Sequence, residues 1–273
     1  MKRSKITILL AIVLGMTFHS CLDLEPQDQL GGKNMWTSVN DYKQFANTFY
    51  SWTRDFSSVV YDGTHSDKRS DLITYQSYNE FSRGINSIPS SDANYTDNYK
   101  HIRRTNLLLQ NAEAYAKPED IKQYIGEAYF FRAYSYFDLL QLYGDVIITK
   151  KPLDITDPEM KVKRNDRSEV VDLIIDDLNH AVENLPAFKE LTTEEEGRIS
   201  KEGAQAFLSR VALYEGTWQK SRNGNQNTQR SANLLDIAAK AARTVIDAKY
   251  GYTFRLFGTD SETKILGDSA QKY

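Results

Sequence analysis

The spacing of apolar residues constrains this chain most. Between Gln123 and Leu142, Ile125, Ala128, Tyr129, Ala133, Tyr136, Phe137 and Leu140 recur every three or four positions, one stripe of a helix, and Gly144 follows as a stop. The same period returns along the chain. Asp41 to Phe56 carries Tyr42, Phe45, Phe49 and Trp52; Asp97 to Ala116 carries Ile102, Leu108, Leu109, Ala112 and Tyr115. Ser168, with Glu169 in the first turn, is the expected cap of a helix bearing Val171, Ile174, Ile175, Leu178, Ala181, Val182 and Leu185 that ends before Pro186. Ser200 is expected to cap one burying Ala204, Phe207, Leu208, Val211 and Ala212, with Gly203, Ala204 and Ala206 permitting close helix approach. Ala232 to Ala248 closes the series with Leu235, Ala238, Ala239, Ala242, Val245 and Ile246. Only Val146-Ile147-Ile148 reads as extended. The expectation is an all-α, mainly helical chain of tetratricopeptide-like α-hairpin repeats with long irregular loops, although no strict 34-residue period is present.

The longest of those loops runs from Ser57 to Ser91, where Gly63, Gly84, Pro89 and many Ser, Asp and Asn residues dissolve the pattern. Connections of this length tend to be functional or disordered. This one holds Tyr61, Tyr75, Tyr78 and Phe81, with Tyr95 at its end, which argues against simple disorder.

The N-terminus has a different character. Lys2, Arg3 and Lys5 precede an apolar run from Ile6 to Phe18, too short to span a bilayer comfortably but suited to the h-region of a secretory signal. The run abuts Ser20-Cys21, and Cys21 is the only cysteine. A lone cysteine there is expected to be the lipidation site of a bacterial lipoprotein, with residues 1–20 removed. Phe18 and His19 depart from the usual lipobox, whereas Ser20 fits. Cleavage would take away three basic residues and no acid, moving the net charge from −3 to −6. A mildly acidic body does not favour adsorption to anionic membrane, so the attachment would be the acyl chains. Residues 21–40 suit a lipidated tether, with Pro26, Gly31 and Gly32 among polar residues.

Motifs for chemistry are scarce. The charge balance excludes a broad nucleic-acid-binding surface, and one cysteine excludes an internal disulfide framework or a cysteine-rich metal site. There is no HExxH, GxSxG, Walker loop or GxGxxG. His65, His101 and His180 are scattered, and Asp176 and Asp177 are expected to face solvent. The reading is therefore of a non-enzyme with no cofactor and no metal. Tyrosine, at 17 residues, is the richer signal. Tyr129, Tyr136 and Phe137 belong to the core stripe. Tyr75, Tyr78, Asn79 and Tyr95 are the candidate ligand-binding residues, because exposed aromatics beside amides suit stacked sugar rings and their hydroxyls.

Several short motifs then occur in order: YKHIRRTN with Tyr99, Ile102, Arg103 and Asn106; GEAYFFRAY from Gly126 to Tyr134; YGDVI from Tyr143; DDLNHAVENLP from Asp176; and GRISKEGA from Gly197. With the lipoprotein start, this set resembles the SusD/RagB family of outer-membrane nutrient-binding lipoproteins. The resemblance implies a surface-exposed lipoprotein that takes up oligosaccharide, or in some relatives peptide, and passes it to a SusC-like TonB-dependent transporter in the outer membrane. It implies polar interhelix contacts for Arg132, Asp145 and Arg198. It also implies the N-terminal half of a longer protein: a SusD-like helical domain over 41–230 and an incomplete C-terminal region over 231–273. The alternatives are a helical-repeat interaction subunit without a ligand of its own, or a non-functional truncated fragment.

Overall fold

A computed structural model describes residues 35–54, 80, 83–222 and 228–254. Cys21, Tyr75, Tyr78 and Asn79 lie outside the described residues. From Val39 onward the described residues form one unit of six α-helices: α1 Val39–Asn47, α2 Ala93–Glu113, α3 Lys122–Tyr143, α4 Arg167–Asn184, α5 Lys201–Arg222 and α6 Thr228–Ile246. Each helix from α2 to α5 packs on the next, and α1 lies against α2 and α3. No strand occurs among the described residues; one isolated antiparallel bridge joins Val146 and Asn165. The fold is all-α, built as successive helical hairpins.

Local chemistry sets the helix ends. Asp92 caps α2, its carboxylate accepting from the Asn94 amide at 2.9 Å. The cap of α4 is Asp166 rather than Ser168, in a capping box where the Glu169 carboxylate accepts from the Asp166 amide at 3.2 Å. Gly144, at φ 70°, ends α3 as expected. The first helix is shorter than its apolar spacing suggests. It gives way at Asn47 to a 3₁₀ turn over Thr48–Trp52, where the hydroxyls of Thr48, Ser51 and Thr53 each donate to a carbonyl three residues back.

Two glycines, not the expected Gly203, set the closest helix approaches. A Cβ at Gly126 would lie 2.9 Å from Leu185 Cγ, and one at Gly216 would lie 3.0 Å from Leu235 Cδ2, whereas at Gly203 the nearest atom is 3.6 Å away. Gly216 also explains why α6 is rotated from its expected register. The Ser231 hydroxyl donates to Gly216 O at 2.8 Å, which turns Ser231, Leu234, Ala238 and Ala241 inward and leaves Ala239 and Ile246 exposed.

The core is aromatic around Phe131, with Phe49, Tyr50 and Trp52 at centroid distances of 5.8, 5.0 and 5.9 Å. Within it lie three arginine–carboxylate pairs. Arg132 Nε and Nη2 donate to the two oxygens of Asp177 at 2.8 and 2.6 Å, and Nη1 donates to Asn106 Oδ1 at 2.8 Å. Arg198 holds Glu127 through two bonds of 2.8 and 2.7 Å, and Arg167 Nε reaches Glu215 at 2.9 Å. Asp177 therefore does not face solvent. One position turns Asp176 outward and Asp177 fully inward, where Arg132 meets it. Burial pushes the Asp177 and Glu127 carboxyls up, opposed by the arginine bonded to each. The polar contacts of Arg132, Asp145 and Arg198 are all present; Asp145 accepts from the Arg167 amide at 2.9 Å.

Breaking one partner of such a pair strands the other charge. Arg132→Met is expected to destabilise the protein by about 3–5 kcal/mol, and adding Asp177→Leu to recover most of that loss, as read by urea denaturation. A second expectation concerns His101, which stacks on Trp52 at 4.1 Å and 13°. Burial lowers its pKa from 6.5 to about 4. The neutral ring is thus favoured in the folded state, and its contribution is complete above pH 6.5 and lost as pH falls toward 4. Relative to His101→Gln, the parent should lose roughly 1–2 kcal/mol more stability over that interval, a figure reduced for solvent screening because the ring is only half-buried.

Candidate functional site

After Gly144 the chain leaves α3 and runs as an irregular segment beside α2. With no neighbouring strand, its backbone finds side-chain partners. The Tyr99 hydroxyl accepts from the Ile147 amide at 2.9 Å and donates to the Ile147 carbonyl at 2.8 Å. Two residues on, the Tyr136 hydroxyl accepts from the Thr149 amide at 2.7 Å and donates to its carbonyl at 3.2 Å. Asn106 Nδ2 donates to the carbonyls of Thr149 and Lys151 at 3.0 and 3.3 Å. Asn165 holds the other edge, its amide donating to Val146 O and its Oδ1 accepting from the Ile148 amide, both at 2.9 Å. Arg103 donates to Leu153 O. These contacts satisfy polar backbone groups that would otherwise be desolvated without partners.

Between α2, this segment and the 3₁₀ turn Pro158–Lys161 lies a cleft of about 420 Å³. Tyr95, Tyr99 and Arg103, one helical turn apart, form its α2 wall; Ile147, Lys151 and Met160 line the other side. Tyr95 packs on Tyr99 at 4.8 Å and edge-on to Tyr143 at 5.2 Å, and remains half-buried. Burial raises the Tyr99 phenol well above its ordinary value, helped by Tyr95, so its hydroxyl stays protonated and able to donate. Lys151 pairs with Glu159 at 2.8 Å. An aromatic ring flanked by amines, a guanidinium and a carboxylate can stack on a sugar face and bond its hydroxyls.

Of the four candidate ligand residues, Tyr95 stands in this cleft, and the other three lie outside the described residues. Tyr99, Arg103 and Lys151 were not among the candidates. The spacing of four between Tyr95, Tyr99 and Arg103 was the available signal for the first two. Among the described residues no group of three or more His, Cys, Asp or Glu is placed to hold a metal ion, and no helix is long and apolar enough to cross a membrane.

A SusD-like family model, described as starch-binding and associating with the outer membrane, matches residues 22–213. SusD-like protein P38 of Formosa agariphila is 28% identical over 233 residues, covering 78% of this chain and 42% of the relative. SusD-like protein P2 of the same organism is 28% identical over 238 residues, 81% of this chain and 45% of its own length. The chain thus spans less than half the length of these relatives. Among solved structures, a SusD-like protein of Bacteroides fragilis superposes with a TM-score of 0.61 at 24% identity, over 88% of this chain and 43% of that one. A structure named as a laminarin-binding SusD-like protein is 28% identical, with a TM-score of 0.51 over 64% of this chain and 35% of its own.

The tyrosine ladder has a checkable consequence. Tyr99→Phe keeps the ring but leaves both Ile147 backbone groups without the hydroxyl. It should cost about 1–2 kcal/mol in denaturation and speed hydrogen exchange at the Ile147 amide, with the helical circular dichroism unchanged.

Proposed function

The chain belongs to the SusD-like family, and on that footing we propose that it is an oligosaccharide-binding lipoprotein that captures nutrient glycan at the cell surface without catalysis. The observation that carries this reading is the family match across residues 22–213. The laminarin-binding relative supports a glycan ligand. The cleft supplies a means, with Tyr95 beneath a sugar ring and the surrounding amines and carboxylate for its hydroxyls. In this reading Cys21 carries the acyl chains that hold the protein to the outer membrane, residues 21–40 form the tether, and Tyr75, Tyr78 and Asn79 are further ligand residues alongside Tyr95. The captured glycan passes to a SusC-like TonB-dependent transporter, for which the helical array is the scaffold.

Calorimetric titration of the full chain in detergent with starch, laminarin and xyloglucan oligosaccharides tests the binding step. At least one series should bind, and Tyr95→Ala should weaken it about tenfold, the worth of one aromatic stack, while His101→Gln leaves it unchanged. Absence of binding to every glycan overturns the reading. Co-purification with a TonB-dependent transporter from outer membranes tests the partner separately.

A further inference from the structure

The charges at the cleft do not match the rest of the chain. Lys100, Arg103 and Lys151 line it against the single carboxylate of Glu159, in a chain of net charge −3. Glu159 is engaged with Lys151. Lys100 pairs with Asp97 at 2.7 Å, but the two side chains are 72% and 52% exposed, where such a pair is worth little and is readily exchanged. Arg103 is exposed, and its only described bond is to the neutral carbonyl of Leu153. Its situation contrasts with Arg132, Arg167 and Arg198, each of which meets a buried carboxylate. The Arg103 guanidinium is therefore paired with no described carboxylate and has further donors at the cleft, one helical turn from Lys100 and two from Tyr95.

A neutral sugar offers such a group only hydroxyl acceptors. A carboxylate or sulfate matches the planar guanidinium with two parallel, charge-assisted bonds, and Lys100 adds a second cation beside it. We propose that this cleft takes an anionic oligosaccharide, one whose ring lies on Tyr95 and whose carboxylate or sulfate group is held by Arg103 and Lys100. The proposal rests on the glycan-capture reading and narrows it to a substrate class.

The test titrates the full chain in detergent with two matched pairs: oligogalacturonate against its methyl ester, and a sulfated galactan oligomer against its desulfated form. In at least one pair the charged member should bind about tenfold tighter or better at about 50 mM salt, and the gap should narrow at about 300 mM as screening sets in. The pair that shows the gap identifies carboxylate or sulfate as the group recognised. Arg103→Gln, its folding checked by the melting midpoint, should remove most of the preference by weakening the charged member far more than the neutral one, and Lys100→Gln should remove less. Equal or tighter binding of the neutral members, or a preference that survives in the Arg103→Gln/Lys100→Gln double variant, overturns the anionic assignment and leaves glycan capture standing. Failure of all four oligomers, together with the neutral glycans, overturns both.

Discussion

The Arg132 guanidinium, 5% exposed, bonds to side chains of two other helices: both oxygens of Asp177 on α4 and the amide oxygen of Asn106 on α2. The second contact has reach. With its oxygen taken by Arg132, the Asn106 amide presents its NH₂ to the carbonyls of Thr149 and Lys151. A charge pair inside a three-helix core thereby sets where the segment beyond Gly144 runs, and that segment is one wall of the cleft. A buried ion pair adds little net stability over well-packed apolar residues. What this one supplies is a set of directional bonds that join three helices and a loop at a single guanidinium and a single amide.

The two other pairs act in the same way at other seams. Arg198 binds Glu127 on α3 and Asn47 at the end of α1, while the neighbouring Ile199 amide donates to the Tyr50 hydroxyl. The loop before α5 is thus tied to the first helix. Arg167 joins α4 to Glu215 of α5 and stacks over Trp218 at 4.0 Å, and its amide donates to Asp145. Each arginine finds its carboxylate on a different element. Directional polar contacts at these three seams act beside the close steric fits at Gly126 and Gly216 in setting how the helices meet.

The helices were legible in the sequence because their stripes are long and strongly periodic. Less visible was anything decided by a partner far along the chain. Asp176 and Asp177 look alike as neighbours, and only Arg132, 45 positions earlier, distinguishes the buried one. Ser168 and Asp166 are both acceptable caps; the capping box with Glu169 favours the earlier. Leu235 reads as a core residue of α6; it does pack on Gly216, but only half-buried, and the Ser231 hydroxyl bond to Gly216 O sets Leu234 in the fully buried place beside it. The candidate site divides the same way. Tyr95 stood out as an aromatic beside a long loop, but Lys151 reaches the cleft only because Tyr99, Tyr136 and Asn106 fold residues 147–151 back along α2, and no spacing encodes that.

Those tyrosines also bear on how the cleft can work. Tyr95, Tyr99 and Arg103 share one face of α2, and the middle one is committed to holding Ile147. In the proposed reading the outer two, Arg103 while also bonded to Leu153 O, meet a ligand from positions on a 21-residue helix rather than on a loop. The opposite wall is irregular in backbone but is held by five side chains, those of Tyr99, Arg103, Asn106, Tyr136 and Asn165, so it resembles a strand in its bonding if not in its neighbours. In the proposed reading a ligand entering between them meets a backbone and a tyrosine pair already in place, while the exposed side chains of Lys100, Arg103 and Lys151 still have rotamer freedom to lose. The same arrangement ties the cleft to the core: a change at Asn106 or Arg132 that shifts the segment would alter the cleft without touching any residue that lines it.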